Sequence, residues 1–198
     1  MDNELTFRIL LGLLIGSFVL HRGNYRRKHS PDQEDVLREK QADSGTALTG
    51  LLSLAALLSS FVYFFKPEWM AWAAIGLPAW ARWLAVPLAL AGFFVIEWGQ
   101  RALGSNWSDT PVLTKEQTLT VEGPYRWVRH PIYTGFLLIL SAPLLIAANW
   151  FIGLAWLLMT FLDVQARAAF EEGVLIEEFG QDYRAYIQRT GRFFPRLG

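Results

Sequence analysis

The hydrophobic residues of this chain come in long blocks, and the polar ones are confined to the stretches between them. Against the roughly 20 apolar residues that one helical crossing of a bilayer requires, five blocks read as membrane-spanning helices. The first is LTFRILLGLLIGSFVL (5–20), with Arg8 near its start, where a long side chain can snorkel. The second is TALTGLLSLAALLSSFVYFF (46–65). The third, WARWLAVPLALAGFFVIEWG (80–99), has tryptophans at both ends like an interfacial belt. The fourth and fifth, about 132–148 and 150–166, are separated only by Ala148-Asn149-Trp150. A connection that short forces an antiparallel hairpin, and its tip, Asn149, is expected to be open to solvent. Pro87 and Pro143 fall inside spans and are expected to kink them, which membrane bundles tolerate. Gly12 and Gly16 form a small-xxx-small face for a neighbouring helix.

Charge then gives these helices a direction. Segments 21–45, 100–131 and 167–198 hold six, four and five Lys/Arg, fifteen of the eighteen in the chain. The positive-inside rule places all three on the cytoplasmic side, with the N-terminus outside and the C-terminus inside. The front of the chain is acidic (Asp2, Glu4), and the basic cluster HRGNYRRK follows the first block, so an uncleaved helix is expected rather than a signal peptide. The linker SPDQEDVLREKQADSG (30–45) reads as a solvated connector. The expectation is an all-α integral membrane protein, a single multi-pass domain over 1–198. Residues 1–99 supply three N-terminal spans, and 100–198 a second half where the unusual polar residues gather.

Composition narrows the chemistry. Of 198 residues, 53% are hydrophobic and nine are tryptophan. The formal net charge is zero, so no basic field points to nucleic acid. Cysteine is absent, which removes disulfides, thiolate metal sites and a cysteine nucleophile. Three histidines, two of them among arginines, do not suggest a metal site, so no metal is expected.

What remains unexplained lies on one face. GPYRWVRHPIYTG (123–135) carries Arg129 and His130 into a helix start, although the positive end of the helix dipole prefers anions. Gly123-Pro124 is a turn signal, and Pro131 near the first helical position costs no hydrogen bond. The amides of that helix start can bind a carboxylate, with Arg129 and His130 reinforcing the site. Basic residues holding a helix end at the headgroup layer would explain the charge alone. In the tail, Arg167 and Glu171 are spaced to share a helix face, as an ordinary ion pair or as part of a site. Asp163 is ionisable close to the lipid boundary, which marks it as a functional candidate. Glu171 and Glu172 at a membrane rim need cationic company. A small zwitterionic ligand held between loop and tail would answer both halves.

These stretches resemble a known family. GPYRWVRHPIYTG followed by EEGVLIEEFGQDYRAYIQRTGRFFP is similar to the isoprenylcysteine carboxyl methyltransferases and to the wider set of small integral-membrane methyltransferases, phospholipid N-methyltransferases included. The pattern G-x-Y-x-x-x-R-H-P-x-Y-x-G, then E-E-x-x-L-x-x-x-F-G-x-x-Y-x-x-Y, is met at every position, and the likeness covers roughly 97–196. It implies methyl transfer from S-adenosyl-L-methionine, leaving S-adenosyl-L-homocysteine. The cofactor pocket would be cytoplasmic, formed by the loop before the fourth helix and the C-terminal helical tail. A lipid-like or prenylated substrate would arrive from the bilayer. The resemblance assigns Tyr125, Arg129, His130, Pro131, Ile132 and Tyr133 to the cofactor, with Glu171 and Glu172. It adds Gln117, Thr118, Leu119 and Thr120, with Gln117 standing where the family usually has histidine. Arg167 matches the arginine that meets the substrate carboxylate. A carboxylate is already ionised and needs orientation more than a base, and a two-pronged arginine suits it. Most consistent with this is carboxyl O-methylation of an isoprenylcysteine-like molecule. An amine or thiol acceptor on the same fold, and a non-catalytic membrane scaffold, are the alternatives.

Overall fold

The structure, a computed structural model, describes residues 2–28, 47–104 and 118–196. Every regular element among them is helical. In chain order these are α1 (Asp2–Lys28), α2 (Ala47–Phe65), α3 (Ala79–Trp83), α4 (Ala85–Leu103), α5 (Pro131–Ala147) and α6 (Trp150–Arg189). Two 3-10 turns, Pro67–Ala73 and Gly123–Arg126, precede α3 and α5. Three described stretches are long and apolar enough to cross a membrane: Ala47–Phe65, Ala79–Leu103 and Trp150–Arg189. Pro131–Ala147 is equally apolar but shorter, at 17 residues.

The third block is interrupted. α3 gives way to α4 at Leu84, and Pro87 lies in the first turn of α4. A proline there cannot donate back to the carbonyl of residue 83, so the helix breaks upstream and restarts where no N–H is needed. Pro143, by contrast, sits inside an unbroken α5.

The chain divides into two compact units. The described residues of the first are 2–28, 47–89 and 140–160. Its polar interior joins helix ends. Arg82 of α3 donates to the Ile146 carbonyl in the last turn of α5, through Nε at 3.0 Å and Nη2 at 2.6 Å. Its Nη1 meets Glu4 Oε2 of α1 at 2.7 Å, and Nη2 reaches the Tyr63 hydroxyl of α2 at 2.9 Å. The same guanidinium lies 3.9 Å from the centre of the Phe7 ring. The start of α1 thus lies beside the ends of α2 and α5. Arg8 is bound to the chain, donating to the Phe64 carbonyl at the end of α2. Gly12 faces the Phe64 ring, where an added Cβ would come within 3.1 Å, whereas nothing approaches Gly16.

The hairpin tip differs from expectation. Asn149 is 2% exposed. Its Oδ1 accepts the Ile152 N–H at 3.1 Å, capping α6, and its Nδ2 donates to the Met70 carbonyl at 2.9 Å. A two-residue reversal leaves backbone groups needing partners, and Asn149 provides them from inside.

The described residues of the second unit are 90–104, 118–139 and 161–196. Here α4 and α5 cross backbone to backbone. A Cβ on Gly92 would lie 2.7 Å from the Gly135 carbonyl oxygen, and one on Gly135 would lie 2.7 Å from that of Gly92. Further along, a Cβ on Gly99 would meet Ile132 at 2.9 Å. Small residues permit this approach where no hydrophobic driving force separates helix from lipid. The crossing fixes the start of α5, and with it the residues just before Pro131. In the same unit α6 turns sharply at Gly180 (φ 52°, ψ −118°), a conformation open to glycine and costly for other residues. The turn sends Tyr183 and Tyr186 off in a new direction.

Candidate functional site

Within the second unit the two motifs meet. The residues preceding α5 are laid against the end of the chain by backbone hydrogen bonds. Gly191 N–H donates to the Trp127 carbonyl at 3.1 Å, Arg129 N–H to Gly191 at 2.8 Å, and His130 N–H to Arg192 at 3.0 Å. Thr134 Oγ1 adds a bond to the Phe193 carbonyl at 2.6 Å. The amides of Arg129 and His130, just ahead of α5, thus serve the chain's own carbonyls.

Glu172, 6% exposed, is the hub of the side chains. Its Oε1 accepts from Arg129 Nε at 2.8 Å and lies 3.2 Å from His130 Nε2. Arg192 reaches the same carboxylate through Nε at 3.2 Å and through Nη2. The cationic company expected for Glu172 thus comes from three residues of the protein. Arg129 also donates Nη1 to the Thr190 carbonyl at 2.6 Å. Arg192 Nη1 reaches Gln165 Oε1 at 3.0 Å.

Glu171 stands differently. It accepts from the Tyr133 hydroxyl, and its Oε2 is 3.2 Å from His130 Nδ1. Its side chain keeps 27% of its exposure, against 8% for Glu172. Both ring nitrogens of His130 face carboxylates, so each must carry a proton to donate, and the ring is an imidazolium. Burial disfavours that charge, but the hydrogen bonds and fields of Glu171 and Glu172 outweigh it, and the His130 pKa rises above its ordinary value. The ring stacks on Tyr133 with centroids 5.5 Å apart. Tyr125 is buried beneath, its carbonyl accepting the Tyr186 hydroxyl at 2.6 Å. Burial, then the charge of Glu171, pushes the Tyr125 phenol well up, so it stays neutral.

The other sequence candidates fall around this core. Pro131 is fully buried at the start of α5, and Ile132 packs toward Gly99. Arg167 pairs one turn back with Asp163, Nε to Oδ2 at 3.3 Å, which joins two residues the sequence singled out separately. Leu119 and Thr120 are half-buried and Thr118 is exposed, in an irregular segment leading to Gly123. Gln117 lies outside the described residues. No group of three or more metal-ligating side chains occurs among the described residues. Sequence reasoning missed Arg192, Thr190 and Gln165. The only available signal was the position of Arg192 in the motif-bearing tail. The hydroxyl of Tyr183 is buried with no hydrogen-bond partner among the described residues.

Comparison with known proteins gives this arrangement a context. Residues 80–182 match the profile of a family described as phospholipid methyltransferase. A methanethiol S-methyltransferase 2 of Bradyrhizobium diazoefficiens is 31% identical over 74% of this chain and 58% of that one. A protein-S-isoprenylcysteine O-methyltransferase of Tribolium castaneum is 26% identical over 71% of this chain and 50% of its own. The chain therefore spans little more than half the length of these relatives. Among solved structures, a eukaryotic intramembrane Ras methyltransferase (isoprenylcysteine carboxyl methyltransferase) superposes with a TM-score of 0.60. That match has 21% identity, over 78% of this chain and 54% of that one.

Proposed function

Because the chain belongs to the phospholipid methyltransferase family, we propose that it transfers a methyl group from S-adenosyl-L-methionine to a lipophilic acceptor. The observation that carries this reading is the meeting of Arg129-His130 with Glu171-Glu172 in one buried cluster, although some 40 residues separate the motifs. Glu171 is the carboxylate of the pair that keeps exposure, and it would hold the cofactor's ammonium. Tyr133 and Tyr125 would line the site with it. The donor set fits such a ligand, and the buried Tyr183 hydroxyl has no hydrogen-bond partner among the described residues. When bound, the cofactor supplies an already activated methyl on a sulfonium.

The chain's own task is then to orient and to exclude water. Arg167 would direct the acceptor carboxylate, its own position steadied by Asp163. A prenylated cysteine carboxylate, which enters through lipid, is the acceptor this arrangement suits. A thiol acceptor is the second reading. It is favoured by the methanethiol S-methyltransferase likeness. Five spans, an outside N-terminus and a cytoplasmic site complete the proposal.

Two experiments test it. Calorimetry with S-adenosyl-L-homocysteine on detergent-solubilised protein, then a labelled-methyl screen of lipid extracts, should give binding and a methylated product; absence of binding would refute the enzyme. For topology, a cysteine at Lys115 should be shielded from an impermeant thiol reagent added outside, and one at Gly76, exposed with open space around it, should label. The reverse pattern would invert the orientation. Asn149 is unsuited to this test because it is buried.

A further inference from the structure

Residues 190–193 pack along the segment that precedes α5. They hold the segment before α5 along three backbone hydrogen bonds, and Thr134 anchors the far side through Phe193. Gly191 allows no side chain at this point, since an added Cβ would lie 1.7 Å from the Phe194 carbonyl oxygen. From this strap Arg192 reaches back to α6 at two places, the Glu172 carboxylate and the Gln165 amide. Glu172 in turn holds His130, which also faces Glu171. The chain of contacts therefore runs from Arg192 through Glu172 to the imidazole and to the more exposed glutamate.

We propose that Arg192 is a positioning residue for the cofactor site. It clasps the C-terminal strap to α6, fixes the Glu172 carboxylate, and so sets the orientation of His130 toward Glu171. The proposal rests on the methyltransferase reading for what the site binds, but not for what Arg192 holds. An arginine suits the role because its rigid planar fork sets Nε and Nη2 on a carboxylate while Nη1 reaches an amide, a spread that a compact ammonium does not reproduce. Its side chain remains 35% exposed, so it acts from the rim of the cluster rather than from the centre.

A ring titration of His130 by NMR separates positioning from a general effect on folding. Replacing His21 and His29 leaves one imidazole in the chain. The charged and titratable groups set around that ring are Glu171 and Glu172 from α6, Arg129 from the preceding loop, Tyr133 from α5 and Arg192 from the strap. Arg192→Gln removes a nearby cation, so the His130 midpoint should move up. Glu172→Gln removes an anion, so it should move down. Opposite shifts from two damaging substitutions are not what loosened folding produces. In parallel, S-adenosyl-L-homocysteine affinity should fall about tenfold in Arg192→Gln, the scale of a lost charged hydrogen bond. Arg192→Lys should restore less than a third of that loss, and it serves as the folded control. An unshifted His130 in Arg192→Gln, or full recovery by lysine, overturns the proposal. Wild-type protein that fails to bind S-adenosyl-L-homocysteine sinks the methyltransferase reading instead. The titration then decides by itself whether Arg192 holds His130.

Discussion

Two polar networks lie inside this apolar chain, and they are built to different ends. In the first unit Arg82 and Arg8 bind carbonyls at the ends of α5 and α2, and one carboxylate, Glu4, accompanies Arg82. The bonds to Ile146 and Phe64 close helix termini whose carbonyls have no intrahelical partner. In the second unit three cations converge on one carboxylate while a neighbouring carboxylate retains exposure. That surplus of ionisable groups exceeds what closing helix ends requires. The first network closes helix ends; the second is organised around Glu172 and leaves Glu171 the more exposed carboxylate.

The comparison can be broken most forcefully at Glu172. Glu172→Gln leaves Arg129 and Arg192 without their anion and His130 with Glu171 alone, and removing one partner of a buried ion cluster costs about 3–5 kcal/mol. Thermal or denaturant unfolding in detergent should register that loss. A cost under 1 kcal/mol would mean that the cluster holds nothing together. The same network predicts a pH dependence. His130 has a folded pKa above its unfolded value near 6.5. Its contribution is complete below that value and is lost as pH rises through the folded pKa. Stability of the wild type should therefore decline on the alkaline side, and His130→Gln should flatten that decline.

Arg167→Ala tests the chemistry rather than the scaffold. Methyl transfer should fall by about 100-fold, the loss typical of one transition-state-orienting donor. Cofactor affinity should stay within about threefold, because Arg167 lies one turn from Glu171 and pairs with Asp163. Parallel loss of binding and turnover would place Arg167 in the cofactor site. In the other network, Arg82→Ala should cost about 2–3 kcal/mol of stability, as charged hydrogen bonds to Ile146, Glu4 and Tyr63 disappear. Protein that still folds should keep its cofactor affinity. A drop in affinity without a drop in stability would merge the two networks.

The difference also governs what could be read from sequence. The helices were legible because bilayer-length hydrophobicity is a local property of the chain, and so were the two motifs that carry His130 and Glu171, because each is a short run of neighbouring residues. Asn149 was not: its partner Met70 lies 79 positions away, and nothing nearby says that a polar hairpin tip will be buried. Glu4 and Arg82, 78 positions apart, were equally silent. The Gly92–Gly135 crossing joins glycines from different helices, and only one of them belongs to a motif. Arg192 sits in a motif-bearing tail, yet its role depends on a strap geometry that no spacing encodes.

The most direct test of the account is the binding of S-adenosyl-L-homocysteine, measured by calorimetry, to wild type and Glu171→Ala. The wild type should bind. Loss of the exposed carboxylate should weaken binding by about 1–3 kcal/mol, the cost of a charged hydrogen-bond partner. Equal affinity in a folded Glu171→Ala protein would contradict the claim that the second network is a cofactor site.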